Sequence, residues 1–180
     1  MRPHIPSFAV CLTASALLAA CTQRIPPPCP HGGLLQDAAS LTAFRDGPGR
    51  DITDIQFKAG FSKINGTCEY LTEESKMTMS FQVVFDIEPG PTAETAQIKI
   101  PYFVAIVKKG QEFFNKPGLK NTFTAIATLP ESHAKFRYED AIIDVSLPLN
   151  DEIRASEIEV IFGFQLTEEQ LLYNRASIPR

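Results

Sequence analysis

Tryptophan is absent from this chain, and only three histidines occur in its 180 residues. Beyond the first 20 residues, histidine is found only at His31 and His133, so acid–base and metal chemistry have few candidates. The sequence contains no Gly-x-Ser-x-Gly, no His-Glu-x-x-His and no Ser-x-x-Lys accompanied by its partner motifs. His133 follows Ser132 directly, but neighbours in sequence seldom form a productive pair, and we expect a solvated loop residue. We therefore expect no catalytic residue and no enzymatic activity.

Motifs for cofactors, metals and nucleic acid are also lacking. There is no Cys-x-x-Cys pair, and the loop over residues 46–51 offers too few oxygen ligands for calcium. Adjacent carboxylates, such as Glu139 and Asp140, point apart on strand or turn backbone and make a poor acid–base site. The 17 basic and 21 acidic side chains give a net charge of −4, without a basic patch for nucleic acid or anionic lipid. The sequence therefore predicts no cofactor, no metal site and no nucleic-acid partner.

Long hydrophobic runs are missing except near the N-terminus, where residues 8–18 are apolar and follow Arg2. That run is shorter than the ~20 residues of a membrane-spanning helix, and with small residues behind it, it is typical of an export signal. Leu18-Ala-Ala-Cys21 resembles the lipobox of bacterial lipoproteins. The resemblance implies cleavage before Cys21, a thioether-linked lipid on that cysteine and acylation of the new amino terminus by a chain such as palmitate. The alternative is an ordinary secreted protein cut after Ala20.

The implied lipid places the protein at the cell envelope, bound to a membrane through its anchor. Two acyl chains already hold a protein stably in a bilayer, so three make a firm anchor. Thr22 follows Cys21, and by resemblance to enteric lipoproteins the absence of aspartate there favours the inner leaflet of the outer membrane, facing the periplasm. We expect a signal peptide over residues 1–20, the lipidated cysteine and a proline-rich leash over residues 21–33, and a single domain over residues 34–180.

Four cysteines divide by position. Cys11 lies in the signal and Cys21 carries the implied lipid, so Cys29 and Cys68 remain as two thiols in an oxidising compartment. We predict that these two form a disulfide, with a redox or metal pair as the alternative. Because the leash is short and extended, the bond would hold the domain within ~25 Å of the lipid.

Alternation of apolar and polar residues dominates from Ile52 onwards and predicts antiparallel strands. Asn65-Gly66 favours a hairpin turn between two of them. A change of phase near Glu139 and Asp140 predicts a bulge, and Pro101 marks a bulge or a locally unpaired edge. The clearest apolar stripe consists of Met77, Met79, Phe81, Val83, Phe85 and Ile87.

Two short helices are expected at the ends of the domain. Apolar residues at positions 34, 35, 38, 41 and 44 fit one buried helical face. Near the C-terminus, Thr167-Glu-Glu-Gln170 is a capping box, which begins a helix. Leu171, Leu172 and Tyr173 would form the apolar face of this second helix, and Asn174 could end it.

The strand pattern predicts an all-β fold, an antiparallel β-sandwich of about seven or eight strands. Its spacing resembles immunoglobulin-like or fibronectin-like domains, although the buried tryptophan of antibody domains is missing, and a small β-barrel is the alternative. The start Cys29-Pro-x-x-Gly and the close over residues 165–175 resemble a group of Gram-negative envelope lipoproteins. That resemblance implies no activity.

Three functions are compatible with this pattern. The first is a non-catalytic binding or assembly module with an envelope protein as candidate partner, which would add a strand at the Pro101 strand or at Phe113-Phe114. The second is a carrier of an apolar ligand such as lipid, which needs a cavity between the sheets lined by the methionine and phenylalanine stripe. The third is an envelope hydrolase, which needs a cleft that holds His133 together with a carboxylate.

Overall fold

The computed structural model describes residues 28–94, 97–108, 120–150 and 154–177 of the chain. These residues form nine strands in two sheets that face each other, with one α-helix near the C-terminus. The predicted all-β sandwich is confirmed, with more strands than expected, and neither sheet closes into a barrel within the described residues. The elements are β1 (His31–Leu34), β2 (Ser40–Phe44), β3 (Ile55–Leu71), β4 (Lys76–Pro89), β5 (Gln97–Lys108), β6 (Lys120–Thr128), β7 (Phe136–Glu139), β8 (Ile143–Pro148), β9 (Ile158–Phe164) and α1 (Glu168–Ser177).

The first sheet has the order β1-β9-β5-β6, and the second has the order β2-β3-β4-β7 with β8 also paired to β4. Every pair is antiparallel except β1 with β9, which run parallel. The core lies between the two sheets. The predicted stripe on β4 is buried there at all six positions, and it packs against Phe162 and Phe164 of β9.

Strand β4 has β3 on one side and the β7–β8 segment on the other, and each of these neighbours contains a bulge near Val84 of β4. Val84 pairs with Glu139 and Phe81 with Ile143, so three steps on β4 face four steps on the β7–β8 segment. The predicted bulge near Glu139 and Asp140 is therefore confirmed. On the other side, β3 has an extra residue at Ser62, which the sequence analysis did not predict. Beyond Ser62, the inward positions of β3 change from odd to even numbers.

The hairpin predicted at Asn65-Gly66 is wrong. Both residues lie inside β3, where Asn65 pairs with Gln82 and Gly66 with Phe81. The chain reverses later, in a 3₁₀ turn over Thr72–Glu74 that ends at Ser75 with a left-handed φ of 49°. Glycine is needed at position 66 for another reason, because a Cβ there would lie 2.9 Å from the Phe81 ring.

The N-terminal helix predicted from position 34 is also wrong, and the folded domain begins earlier than residue 34. His31–Leu34 is a strand of the first sheet, Gln36–Ala38 is one 3₁₀ turn, and Ser40–Phe44 is a strand of the second sheet. The segment crosses from one sheet to the other, so its apolar residues do not share one buried face despite their helical spacing, and Leu34 and Leu35 are exposed. Thus Leu41 joins the main core, whereas Ala38 packs with Phe103 on the outer side of the first sheet.

The C-terminal helix and its capping box are confirmed. The Thr167 amide donates to Gln170 Oε1 at 2.9 Å, and the Gln170 amide donates to Thr167 Oγ1 at 3.2 Å. Asn174 does not end the helix. It is buried within α1, and its amide nitrogen donates to the carbonyls of Asp37 at 2.9 Å and Ser40 at 2.8 Å. Leu172, expected on the apolar face, is 57% exposed.

Pro101 lies in β5, between β9 and β6, so the Pro101 strand is not an edge. The expected local loss of pairing is present on the β9 side. The Pro101 carbonyl accepts from the Gln165 amide at 2.9 Å, but proline has no N–H to return, and the ladder with β9 ends one residue away at Tyr102. The other candidate edge, Phe113-Phe114, lies outside the described residues. No helix in the described part of the chain is long and apolar enough to span a membrane.

Candidate functional site: a cleft beside the disulfide

The predicted disulfide between Cys29 and Cys68 is present, with the two Cα atoms 5.8 Å apart. Cys21 lies outside the described residues. His133 is exposed in a turn, where its amide donates to the Pro130 carbonyl at 3.1 Å. Ser132 Oγ accepts from the amide of the residue after His133. Among the described residues, no three histidine, cysteine, aspartate or glutamate side chains come together as metal ligands.

The N-terminal arm, residues 28–34, connects the two sheets at one end of the sandwich. On one side, Cys29 is bonded to Cys68 in β3, and Tyr70 donates its hydroxyl to the Pro28 carbonyl at 3.0 Å. On the other side, His31–Leu34 pairs with β9 of the first sheet. The arm is thus fixed to both sheets, and it forms a wall across the end of the core.

A cleft of about 460 Å³ lies between this arm and the two sheets. We call it the arm cleft. The rings of Phe81 on β4 and Phe162 on β9 meet across it edge to face, with their centroids 5.0 Å apart. Six of the residues that line it are Cys29, Gly32, Ile64, Met79, Phe81 and Phe162.

Gly32 and Gly66 line the arm cleft without adding a side chain to its walls. A Cβ on Gly32 would lie 3.6 Å from the Phe162 ring, an ordinary contact, so a larger side chain at this position would enter the cleft. At Gly66, by contrast, a Cβ would press on the Phe81 ring at 2.9 Å. Glycine in a strand often marks a close approach of this kind. The open space therefore results from absent side chains on facing strands.

The surface of the arm cleft is chemically simple. Among the described residues that line it, Thr67 supplies the only polar side chain, and none carries a charge. Leu34, at the rim, is 44% exposed. Met79, Phe81 and Phe162 lie buried at the base of the cleft, so a ligand reaches mainly the more exposed side chains of Leu34 and Ile64. The cleft can therefore bind an apolar group through burial of carbon surface, but its lining residues include no nucleophile or acid–base pair.

One buried polar contact was missed by the sequence analysis. Tyr102 is fully buried on β5, and its hydroxyl donates to Asp140 Oδ2 at 2.8 Å. Burial raises the pKa of Tyr102, and the hydrogen bond to the Asp140 carboxylate raises it further. Glu139 is exposed, so the two adjacent carboxylates do point apart, as expected. This pair joins the first sheet to the bulge of the second, and Tyr102 is not among the residues of the arm cleft.

Comparison with protein-family models, with curated proteins and with solved structures found no match to this chain. A function is therefore inferred from the residues of the arm cleft and from the N-terminal sequence.

Proposed function

We propose that the protein is a lipid-anchored envelope lipoprotein and a non-catalytic binding module, whose arm cleft takes an apolar group the size of an acyl chain. The anchor is the lipid on Cys21, and the domain faces the periplasm from the outer membrane. The observation that carries this proposal is the place of the cleft. Cys29 forms part of its lining and lies only eight positions after Cys21 in the sequence.

The size and lining of the cleft support an acyl chain. Ligand pockets usually measure about 300–1,000 Å³. The cleft volume of about 460 Å³ lies within this range, and because the cleft is open to solvent it would bury only part of an acyl chain. Each methylene removed from water contributes about 0.8 kcal/mol. No hydrogen-bond partner is needed for such a ligand, and the lining is more apolar than polar.

The binding proposal is tested with soluble Cys21→Ser protein titrated with a fluorescent long-chain fatty acid. We expect saturable binding of one molecule per chain. Gly32→Val should weaken it about tenfold or more, a loss of ~1.4 kcal/mol, because the new side chain occupies the cleft. The control is Gly60→Val, also in a strand, where an added Cβ has nothing within 4 Å. Non-saturable binding, or equal weakening by both variants, would contradict the proposal.

The second candidate function is an assembly module that receives a strand from an envelope protein. Among the described residues, β6 is at the edge of the first sheet, and its exposed Ile126 is available to a partner. Exposed edge strands commonly bind in this way. Cross-linking in the native envelope, with Cys21→Ser alongside, tests it. A stoichiometric partner that is lost in the unanchored variant would support assembly, and adducts absent from β6 would argue against this edge.

A further inference from the structure

The proposed lipid and the arm cleft belong to one chain. We propose that the arm cleft holds one of the protein's own acyl chains, attached at Cys21, whenever the anchor is outside a bilayer. This inference rests on the proposed function, because it requires both the lipid and an apolar binding site.

The tether is short enough for this contact. The arm is fixed at Pro28, whose carbonyl accepts from Tyr70, and at the disulfide of Cys29. Seven residues lead from Cys21 to Pro28, and even a fully extended chain spans at most ~3.6 Å per residue. Cys29 is itself a lining residue of the cleft. The attachment point of the lipid on Cys21 therefore lies within about 25 Å of the cleft.

Covalent attachment also favours the protein's own chain over a free lipid. A ligand joined by a short flexible linker has an effective concentration in the millimolar range. A site with a dissociation constant of roughly 0.1 mM would then be mostly filled, although it would barely bind free lipid at low concentration. The arm cleft is open and shallow enough to leave Leu34 44% exposed, which suits this modest affinity.

The same reasoning predicts when the cleft empties. An acyl chain in a bilayer is already surrounded by hydrocarbon, so moving it into the cleft removes no surface from water. For an acyl chain exposed to water, entering the cleft is favourable because it removes hydrocarbon surface from water. A cleft of about 460 Å³ has room for no more than one acyl chain, so the other chains of the anchor stay free to contact a carrier or a membrane. Insertion into a bilayer would thus empty the cleft for another apolar group.

The test uses full-length protein from cells fed a photoactivatable palmitate analogue. The purified lipoprotein is irradiated after dilution out of detergent, and again in vesicles of phosphatidylethanolamine and phosphatidylglycerol. We expect adducts within the same chain at Leu34, Ile64 or Thr67, the more exposed residues of the cleft, in solution, reduced at least fivefold in vesicles. Gly32→Val should lose these adducts, and Gly60→Val should retain them, with thermal unfolding used to confirm that both variants fold.

The outcomes separate this inference from the proposed function. Protein without label overturns the lipid anchor and this inference together. Labelled protein without adducts in the cleft overturns only the inference, because the anchor is then present and the chain lies elsewhere. A third sample, Cys21→Ser mixed with an equimolar amount of the free analogue, tests the source. Equal labelling of the cleft in that sample would assign the site to free lipid and contradict the protein's own chain as occupant.

Discussion

Removal of the disulfide should destabilise the domain strongly. The perturbation is the double substitution Cys29→Ser with Cys68→Ser, made in a soluble Cys21→Ser background expressed without residues 1–20, so that no free thiol remains. The bond joins residues 39 positions apart. In the chain-entropy account, releasing a loop of that length lowers the free energy of unfolding by about 4 kcal/mol. For a domain of this size, the midpoint of thermal unfolding should fall by about 8–16 °C.

The assay is thermal unfolding followed by circular dichroism, supported by urea titration. Reductant provides the control, since it should bring the parent protein to the midpoint of the double variant and leave that variant unchanged. The arm should also lose its attachment to β3, so fatty-acid binding by the double variant should weaken. A midpoint that changes by less than about 3 °C would refute the reasoning. It would mean that pairing of β1 with β9 and the Tyr70 hydrogen bond hold the arm without the bond.

Three further predictions follow from single contacts. Gly66→Val should cost about 1–3 kcal/mol in urea unfolding, since its Cβ would overlap a buried ring at 2.9 Å, and an unchanged urea midpoint would contradict that contact. Tyr102→Phe should cost about 1.5–3 kcal/mol because it removes the hydrogen bond to Asp140, and a neutral result would show that the carboxylate adds nothing there. The hydrogen bond that Arg50 donates, and after it the positive charge of Arg50, lower the pKa of Glu169. The pair therefore stabilises the fold fully above the ordinary glutamate pKa, and this stabilisation is lost as the pH falls through the lowered pKa. Glu169→Gln should therefore flatten the loss of stability between about pH 6 and pH 3, and an unaltered acid profile would count against the pair.

Features that depend on neighbouring residues could be predicted from the sequence. The β4 stripe was readable because a strand repeats every two residues, and the capping box was readable because its partners lie three positions apart. The phase change near Asp140 likewise revealed a bulge. Features that depend on distant partners were not readable. Asn174 is buried because carbonyls of Asp37 and Ser40 lie beside α1, and nothing near Asn174 in the sequence indicates them.

The candidate site shows the same division. The disulfide could be predicted from four cysteines and a compartment, but the arm cleft could not, because it is made by side chains that are absent. Gly66 looked like a turn residue next to Asn65, and only the register of β3 with β4 places it against Phe81. Gly32 looked like part of a leash, and only its pairing with β9 places it opposite the core. A lipid carrier was expected to have a cavity between the sheets lined by the methionine and phenylalanine stripe, but the cleft lies beside the arm and the stripe is buried.

The measurement that tests the central claim most directly is the intact mass of the mature protein extracted from membranes. The proposed anchor predicts a chain that begins at Cys21, with the added mass of a diacylglyceryl group and one further acyl chain. Cys21→Ser should lack this mass and leave the membrane fraction on washing. A chain that begins at Cys21 without any added lipid would contradict the anchor, and with it the assignment of the arm cleft to an attached acyl chain.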